Sequence, residues 1–400
     1  MRIGIVSREY PEETGTGGVG TYTFHLAHGL SARGHQVHVI AQSRYGERVV
    51  PDGPVTVHRI AHTPIFGRER VLREWGLRME YSCHVNRVLQ RVIQQHAIEL
   101  VEAPNCSGEG FVYSFAKRTP LVVRLHTPFA EYIELCGWKR TIDHSLSCLI
   151  EDAGVLRSDL VTCSTANHSE SIASGLRMDP KRIVRIPLGV PLPDLREPPR
   201  IALPRPTVLF VGRLEKRKGV HVLLQAIPRV LQELPHVYFM VIGRDTYDDG
   251  HTTSLEGELR HSFKWACLQQ FPAQLLDRVR FLGYVEPQVL SHYYRACDLF
   301  VAPSLYESFG FIYIEAMSYA KPVIGCGVGG VLEVVKNGVT GSLIPPEDPQ
   351  QLADAIIRLL KDESLRRTMG ERARRHVEEH FTQERMVDRT LDAYQRLLGH

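Results

Sequence analysis

Two glutamates bracket a predicted helix start in the second half of the chain. Glu307 follows the predicted strand 299–302 by a short loop, and Glu315 lies about two helical turns further along the run ESFGFIYIE. Carboxylates accept several hydrogen bonds, and free N–H groups at a helix start attract phosphates and hydroxyls. The pattern suits a site for a phosphorylated, polyhydroxylated ligand, and a helix-capping Glu307 with a solvated Glu315 is the alternative that it leaves open. The backbone contacts predicted at this helix start come from Phe309, Gly310, Phe311 and Ile312.

A basic loop follows the first predicted strand of the same half. The run GRLEKRKG starts at Gly212, directly after the strand 207–211, and contains Arg213 and Lys218. Cations at the carboxyl end of a strand would stabilise a departing diphosphate as its negative charge develops. An ordinary basic surface loop is the alternative. Because one domain face would carry both this loop and the glutamates, the two patterns together favour an anion-binding site.

A glycine-rich loop near the amino terminus invites a different interpretation. Residues Gly15 to Gly20 match the dinucleotide fingerprint G-x-G-x-x-G. That fingerprint requires the first glycine directly after the strand and an acidic residue after the second strand. Here about seven residues separate the first strand from Gly15, and the second strand, 37–40, is followed by Ala-Gln-Ser. A nicotinamide dehydrogenase is therefore rejected, which leaves an anion-binding loop or a flexible surface turn.

Strands alternate with helical patterns along both halves, which predicts two doubly wound parallel sheets. The predicted strands are 3–6, 37–40, 98–101, 121–125, 160–162, 183–186, 207–211, 238–242, 279–281, 299–302, 322–324 and 341–344. The expected domains are residues 1–192 and 207–380, joined by a proline-rich linker at 193–206. Residues 381–400 form a final helix, expected to return to the first domain. Ligands bind outside the carboxyl ends of such sheets, so we expect a cleft lined by both halves.

Composition and the cysteine count limit the classes of partner and the cellular setting that fit the chain. The 400-residue chain has a net charge of +3, is 43% hydrophobic and 23% charged, and so gives no sign of a nucleic-acid partner. Its eight cysteines are scattered, which predicts neither a disulfide framework nor a zinc site. The amino terminus does not resemble a signal peptide, and no apolar run is long enough to span a bilayer. We expect a cytoplasmic protein.

The combined motifs identify a resemblance to glycosyltransferase family 4, retaining enzymes of the GT-B fold. It covers nearly the whole chain and is densest from 207 to 346. The motifs that carry it are Gly17-Gly18-x-Gly20, Gly34-His35-Gln36-Val37, Ile186-Pro187-x-Gly189-Val190, Gly212-Arg213-x4-Lys218-Gly219, Phe281-x-Gly283, the Glu307-x7-Glu315 pair, Ala316-Met317, Lys321-Pro322-Val323-Ile324, Gly329-Gly330 and Asn337-Gly338-x3-Gly341.

The resemblance implies a role for each residue. It implies that Glu307 contacts the hydroxyls of the donor sugar, that Glu315 holds the nucleotide ribose, and that Arg213 and Lys218 contact the diphosphate. Gly17 and Gly18 would approach the phosphates or the acceptor. His126, after the predicted strand 121–125, matches the histidine that faces the transferred sugar, although a lone histidine is more often structural.

Donor and mechanism follow in part from the same resemblance. Retention is implied by the family, through a front-face transfer in which the leaving phosphate helps to deprotonate the acceptor. No Asp-x-Asp triplet occurs in the chain, so we expect neither a metal ion nor another cofactor. A UDP-hexose, UDP-glucose first, is favoured as donor, with GDP-mannose as the alternative. The acceptor is left open among sugars, metabolites and lipid-linked hydroxyls. A nucleotide-sugar isomerase and a non-catalytic binding module are the competing functions.

Two regions carry weaker signals. Tyr284 and Val285 are predicted base contacts, although Arg244-Asp245 stands where the family commonly has a glycine, before a polar insertion at 246–254. Residues 59–91 mix arginines with apolar side chains. A basic amphipathic helix there would meet anionic lipid, giving peripheral membrane contact, or would simply pack one apolar face. The mixed residues are Arg59, Arg68, Arg70, Arg73, Trp75, Arg78, Met79, Tyr81, Arg87, Leu89 and Arg91.

Overall fold

The computed structural model describes residues 1–14, 17–61, 72–245 and 262–399. The chain divides into two compact units. The first comprises residues 1–191 and 382–400, and the second comprises residues 192–381. Each unit has its own mainly parallel sheet with connecting helices, so the predicted pair of Rossmann-like folds is confirmed.

An eight-stranded sheet forms the centre of the first unit, in the order β3-β4-β2-β1-β5-β6-β7-β8. The elements are β1 (Arg2–Val6), α1 (Gly18–Ala32), β2 (Gln36–Gln42), β3 (Arg48–Asp52), β4 (Val55–Ile60), α2 (Arg73–His96), β5 (Leu100–Pro104), β6 (Leu121–Arg124), α3 (Phe129–Leu135), α4 (Ile142–Leu156), β7 (Leu160–Cys163), α5 (Ala166–Leu176) and β8 (Ile183–Arg185). Nearly every residue of the central strands is buried, as a parallel sheet covered by helices requires.

The edge hairpin of this sheet was not predicted. Strands β3 and β4 pair in antiparallel fashion, whereas every other pairing in the sheet is parallel. Pro51 lies inside β3, and a proline argues against a strand unless the strand lies at an edge. The fifth strand was also placed too early, at 98–101. Ala97 ends α2 in a left-handed conformation, so β5 begins only at Leu100.

The C-terminal helix, α13 (Gln383–Leu398), belongs to the first unit, as predicted. Its Gln383 side chain donates to the carbonyl oxygen of His25 in α1, at 2.7 Å. The Tyr394 hydroxyl donates to Glu102 Oε2 in β5 at 2.6 Å, and the Tyr22 hydroxyl donates to Glu102 Oε1 at 2.8 Å. Glu102 is only 1% exposed, so these two hydroxyls compensate for the burial of its carboxyl group.

A fully parallel sheet of six strands forms the centre of the second unit, in the order β11-β10-β9-β12-β13-β14. The elements are β9 (Thr207–Val211), α6 (Val220–Glu233), β10 (Tyr238–Ile242), α7 (Phe263–Leu268), β11 (Val279–Gly283), α8 (Pro287–Ala296), β12 (Leu299–Ala302), α9 (Phe311–Ser318), β13 (Val323–Cys326), α10 (Val331–Val334), β14 (Gly341–Ile344), α11 (Pro349–Lys361) and α12 (Glu363–His380). The proline-rich segment precedes β9 without forming a helix. Arg295 holds it through the carbonyl oxygens of Asp194 and Glu197, each at 2.7 Å.

The arginine-rich segment is only partly helical. Arg59 lies in β4, is 5% exposed and pairs with Glu13, so it cannot belong to a basic helix face. Arg68 and Arg70 lie outside the described residues. Helix α2 buries Tyr81 and Leu89 in the core of the first unit. The exposed arginines of α2 are Arg73, Arg87 and Arg91. The structure therefore accounts for the amphipathic pattern by packing within the unit.

The described part of the chain bears on two predictions, those on membrane-spanning segments and on disulfide bonds. None of the described helices is long and apolar enough to cross a membrane. All eight cysteines lie in the described ranges, and none of them forms a disulfide bond there.

We expect Tyr394→Phe to destabilise the first unit. The change removes one hydroxyl from the buried Glu102 carboxyl, and an unpaired buried polar group costs about 1–3 kcal/mol. Calorimetric melting of the full chain should show a transition that is several degrees lower. Tyr45→Phe removes the hydroxyl from a tyrosine that is 78% exposed, so it should leave the melting temperature unchanged. Equal melting temperatures for both variants would contradict this role of α13.

Candidate active site

Backbone hydrogen bonds tie together the loops that follow three neighbouring strands of the second unit. The amide of Gly212 donates to the carbonyl oxygen of Ile242 at 2.9 Å, and the amide of Leu214 donates to the carbonyl oxygen of Arg244 at 2.8 Å. The amide of Gly243 donates to the carbonyl oxygen of Gly283, also at 2.8 Å. These loops follow β9, β10 and β11, so they lie at the carboxyl edge of the sheet, where ligands of such folds bind.

The basic loop and the glutamate loop meet at the same edge. Gly219, which ends the basic loop, adopts a left-handed conformation with φ of 73°. A side chain at that position would collide with the carbonyl group of Pro303, directly after β12. The close approach requires glycine. It brings Lys218, one residue earlier, within reach of Glu307.

Lys218 and Glu307 form the central ion pair of the site. Lys218 Nζ lies 2.6 Å from Glu307 Oε1, and the two side chains are only 15% and 10% exposed. The Ser304 hydroxyl donates to the same carboxylate oxygen at 2.9 Å. The structure thus brings together two side chains, 89 residues apart, that the sequence singled out separately.

Burial and charge act in opposite directions on this pair. Burial alone would raise the pKa of Glu307, but the positive charges of Lys218 and Arg217 outweigh it and hold that pKa below its ordinary value. Burial lowers the pKa of Lys218, while the charge of Glu307 opposes that change. Glu307 is therefore ionised at neutral pH, and Lys218 relies on it to remain a buried cation.

The two arginines of the basic loop share a different carboxylate. Arg217 Nη2 lies 2.8 Å from Glu215 Oε1, and Arg213 Nη2 lies 3.3 Å from the same oxygen. Arg213 is 44% exposed at its side chain, whereas Arg217 is 10% exposed. Arg217, for which no role was predicted, contributes positive charge close to Glu307. Its place in the same basic run was the available signal.

The predicted helix start is present at Gly310. Helix α9 begins at Phe311, and Gly310 precedes it with φ of 99°. A Cβ atom there would lie 2.6 Å from the Tyr313 ring, so glycine is needed. Phe309 and Phe311 are 3% and 8% exposed, which leaves their backbone rather than their rings for ligand contact. In the described structure no side chain caps this helix, so the helix-capping alternative for Glu307 is not what the geometry shows.

Glu315 is placed further along α9 beside α8. Its Oε2 accepts a hydrogen bond from the Tyr294 hydroxyl at 2.9 Å. Burial raises its pKa, against the opposing hydrogen bond from Tyr294. The solvated Glu315 of the alternative interpretation is therefore wrong, and Tyr294 is a partner that the sequence pattern did not reveal.

The predicted base contacts lie at the end of β11. Tyr284 is 39% exposed, and the Arg244 guanidinium lies 4.5 Å from the centroid of its ring. Val285 is half-buried beside it. Asp245 accepts hydrogen bonds from the amides of Phe263 and Lys264 at 3.1 and 3.3 Å, so it holds the start of α7. The insertion at 246–254 lies outside the described residues.

In the first unit the glycine loop leads directly into α1. Gly17 immediately precedes the helix, and Gly18 is its first residue. Glu9, in the loop after β1, accepts a hydrogen bond from the Gly20 amide at 3.3 Å. Gly15 and Thr16 lie outside the described residues. The first turn of α1 thus lies beside the loop that follows β1, and the Glu9 carboxylate already accepts from one of its amides.

His126 lies just beyond β6, as predicted. Its amide donates to Asn105 Oδ1 at 2.6 Å, and its ring packs edge-on against Tyr22, with centroids 5.6 Å apart. Its Nε2 is buried and has no hydrogen-bond partner among the described residues. Burial, reinforced by the charge of Arg124, lowers the pKa of His126 to about 3. The ring is therefore neutral at pH 7, with an unused nitrogen that could pair with a ligand hydroxyl.

Family comparisons agree with this arrangement. Residues 16–193 match the model described as Glycosyltransferase Family 4, and residues 193–376 match the model described as Glycosyl transferases group 1. Together with the two Rossmann-like units, these matches define a sugar-nucleotide-dependent glycosyltransferase of the GT-B fold. The chain belongs to glycosyltransferase family 4.

Individual relatives support the same class. Phosphatidyl-myo-inositol mannosyltransferase from Mycobacterium leprae is 28% identical over 92% of this chain and 89% of its own length. Sucrose-phosphate synthase from Thermosynechococcus elongatus superposes with a TM-score of 0.77 at 23% identity, covering 100% of this chain and 99% of that one. HepE from Anabaena, solved with UDP and glucose, gives a TM-score of 0.72 at 21% identity, covering 99% and 100%.

We expect Lys218→Met to lower the turnover number at least tenfold, because a cation at the diphosphate would be lost; removing one such stabilising group costs about 10²–10³ in rate. The variant also leaves the buried Glu307 carboxylate without its ion-pair partner, which should cost about 3 kcal/mol of stability. Steady-state kinetics and thermal melting measure the two effects.

A double variant separates catalysis from stability. Lys218→Met with Glu307→Gln removes both charges, so melting should recover while activity stays low. Lys361→Met, which breaks an exposed pair with Glu233 at 2.8 Å, is the matched control and should change neither property. Recovery of activity together with stability in the double variant would show that the pair has only a structural role.

His126 should stay neutral throughout the physiological range. With a folded pKa of about 3 against an ordinary 6.5, the folded protein does not take up a proton at this ring between pH 8 and 5. The unfolded chain does so below pH 6.5, so this residue weakens the fold as the pH falls. The His126 ring resonance in NMR spectra, assigned with His126→Gln, should not shift over this range. A titration midpoint near 6.5 would contradict the buried placement.

Proposed function

We propose that this glycosyltransferase transfers a hexose from a UDP-linked donor, UDP-glucose in the first place, to a hydroxyl group of a sugar-containing acceptor, with retention and without a metal ion. The observation that carries the proposal is the buried Lys218–Glu307 pair, 2.6 Å across, beside the guanidinium groups of the basic loop. This concentration of cations at the carboxyl edge suits a nucleoside diphosphate. The scattered cysteines, none of which forms a disulfide bond in the described ranges, support a cytoplasmic setting.

The donor would be bound by parts of the second unit. The ribose hydroxyls would pair with Glu315, and the base would lie against the exposed ring of Tyr284. The diphosphate would take its charge compensation from Lys218, Arg213 and the amides at the start of α9. Glu307, ionised and held by Lys218, would accept hydrogen bonds from the sugar hydroxyls.

The proposed reaction is the front-face transfer that the family resemblance implies. The bond between the anomeric carbon and the diphosphate oxygen breaks, and a new bond forms from the same face to the acceptor oxygen. The acceptor proton passes to the leaving phosphate oxygen, giving the glycoside and the nucleoside diphosphate. The cationic loop stabilises the charge that develops on the departing group, which lowers the barrier most at the transition state. Neutral His126 would contribute a hydrogen bond to the transferred sugar.

A GDP-mannose-dependent reaction is the second candidate. The observation that favours it is the match to a mannosyltransferase over 92% of this chain. The observation that favours UDP is the likeness to HepE, whose structure contains UDP and glucose. Both donors present a diphosphate to the same basic loop, so the choice between them rests on the base and the sugar.

A donor screen tests the choice directly. Without acceptor, enzymes of this type should slowly release free nucleoside diphosphate from the correct donor. We expect UDP-glucose to be consumed at least tenfold faster than GDP-mannose at equal concentration, and UDP to raise the melting temperature more than GDP does. The reverse order in both measurements would support the mannosyltransferase. Epimer formation would indicate an isomerase.

Activity should survive chelation. If the basic loop alone neutralises the diphosphate, EDTA should leave the initial rate at 25 °C within about twofold of the untreated value. Loss of activity that Mg²⁺ or Mn²⁺ restores would contradict a metal-independent reaction. Mg²⁺ and Mn²⁺ prefer oxygen ligands such as those of a diphosphate. Restoration of activity by these two ions therefore tests for a metal at the diphosphate and for no other metal site.

A further inference from the structure

Three histidines converge on one face of the first unit's sheet. His38 lies in β2, His58 lies in β4, and His96 is the last residue of α2. One ring nitrogen from each lies within 4.8 Å of the others. Among the described residues this is the one cluster of histidine, cysteine and acidic side chains with such spacing.

The strand register explains how the cluster forms. In the parallel β2–β4 ladder Ile40 is opposite His58, so His38 lies two residues away on the same face. Ile40 and Ile60 on this face pack into the core beneath α2. His38 and His58 thus occupy the next positions along the ladder, where apolar side chains would continue the core. They are 6% and 7% exposed, so polar rings have replaced core residues.

The geometry is close to that of a metal centre. His38 Nδ1 and His58 Nε2 are 3.0 Å apart, and the His38 and His96 ring centroids are separated by 4.2 Å. Two imidazole nitrogens on a tetrahedral ion lie about 3.3 Å apart, given bonds of about 2.0–2.1 Å. The buried pair is already near that separation, and exposed His96 needs only a small side-chain movement. The last turn of a helix also favours a cation.

We propose that His38, His58 and His96 bind one borderline transition-metal ion, Zn²⁺ in the first place, with solvent completing the coordination on the exposed side. Three imidazoles without thiolates or carboxylates select ions of this class over Mg²⁺ or Ca²⁺. The ion would link β2, β4 and α2, and so stabilise the part of the first unit that these three elements form.

The position separates this centre from the candidate active site. Helix α2 ends at His96 and leads into the amino end of β5. The glycine loop and His126, by contrast, follow the carboxyl ends of β1 and β6. A metal here therefore supports the fold rather than the transfer reaction, and the proposal stands whether or not the proposed donor is correct.

Zinc titration of the full chain tests the proposal. Tag-free protein, treated with EDTA and desalted, should bind one Zn²⁺ by calorimetry, and its melting temperature should rise with the Zn²⁺ concentration. His96→Ala should weaken this binding at least tenfold. Because His96 is exposed, the variant should fold normally. His84→Ala, on the same helix and outside the cluster, is the matched control and should bind as the wild type does.

A spectroscopic measurement identifies the ligands. Co²⁺ in the same protein should give the strong visible absorption of a four- or five-coordinate ion, and His58→Ala and His96→Ala should each abolish it. The initial rate of sugar-nucleotide turnover at 25 °C should be equal in wild type and His96→Ala. Unchanged zinc affinity in His96→Ala, or no binding beyond that of an adventitious ion, would show that the three rings form only a hydrogen-bonded cluster.

Discussion

A buried ion pair between two loops is the constraint on which the candidate active site depends. Lys218 and Glu307 are 2.6 Å apart and largely shielded from water, so neither tolerates the loss of the other. Their contact requires the turn at Gly219 to lie directly against Pro303. The pair thereby fixes the basic loop relative to the start of α9, and two separate anion-binding elements become one surface.

Two carboxylates, Glu215 and Glu307, hold the cations of the basic loop. Glu215 holds Arg213 and Arg217, while Glu307 holds Lys218, so each carboxylate restrains at least one cation. Restrained cations need little reorganisation when a diphosphate arrives or departs, and such preorganisation is the main source of electrostatic catalysis. The chain lacks an Asp-x-Asp triplet. The cationic side chains of this loop give it another means of compensating phosphate charge.

Much of this arrangement could be predicted from the sequence because its signals are local. The strand β9 follows from an apolar run ended by Gly212, and the start of α9 follows from an apolar run that begins after Gly310; both were predicted within a residue or two. The hairpin of β3 and β4 was missed because a proline and alternating exposure conceal an edge strand. Tyr294 and the histidine cluster were missed because their contacts join positions far apart in the chain, which no local pattern encodes.

The central claim is that Lys218, held by Glu307, binds the diphosphate. Calorimetry of UDP and of uridine with the wild type and Lys218→Met, in EDTA, isolates the contribution of the two phosphates. We predict that the wild type binds UDP at least a hundredfold more tightly than uridine, and that Lys218→Met reduces this ratio at least tenfold while uridine binding is unchanged. An identical ratio in both proteins would contradict the account.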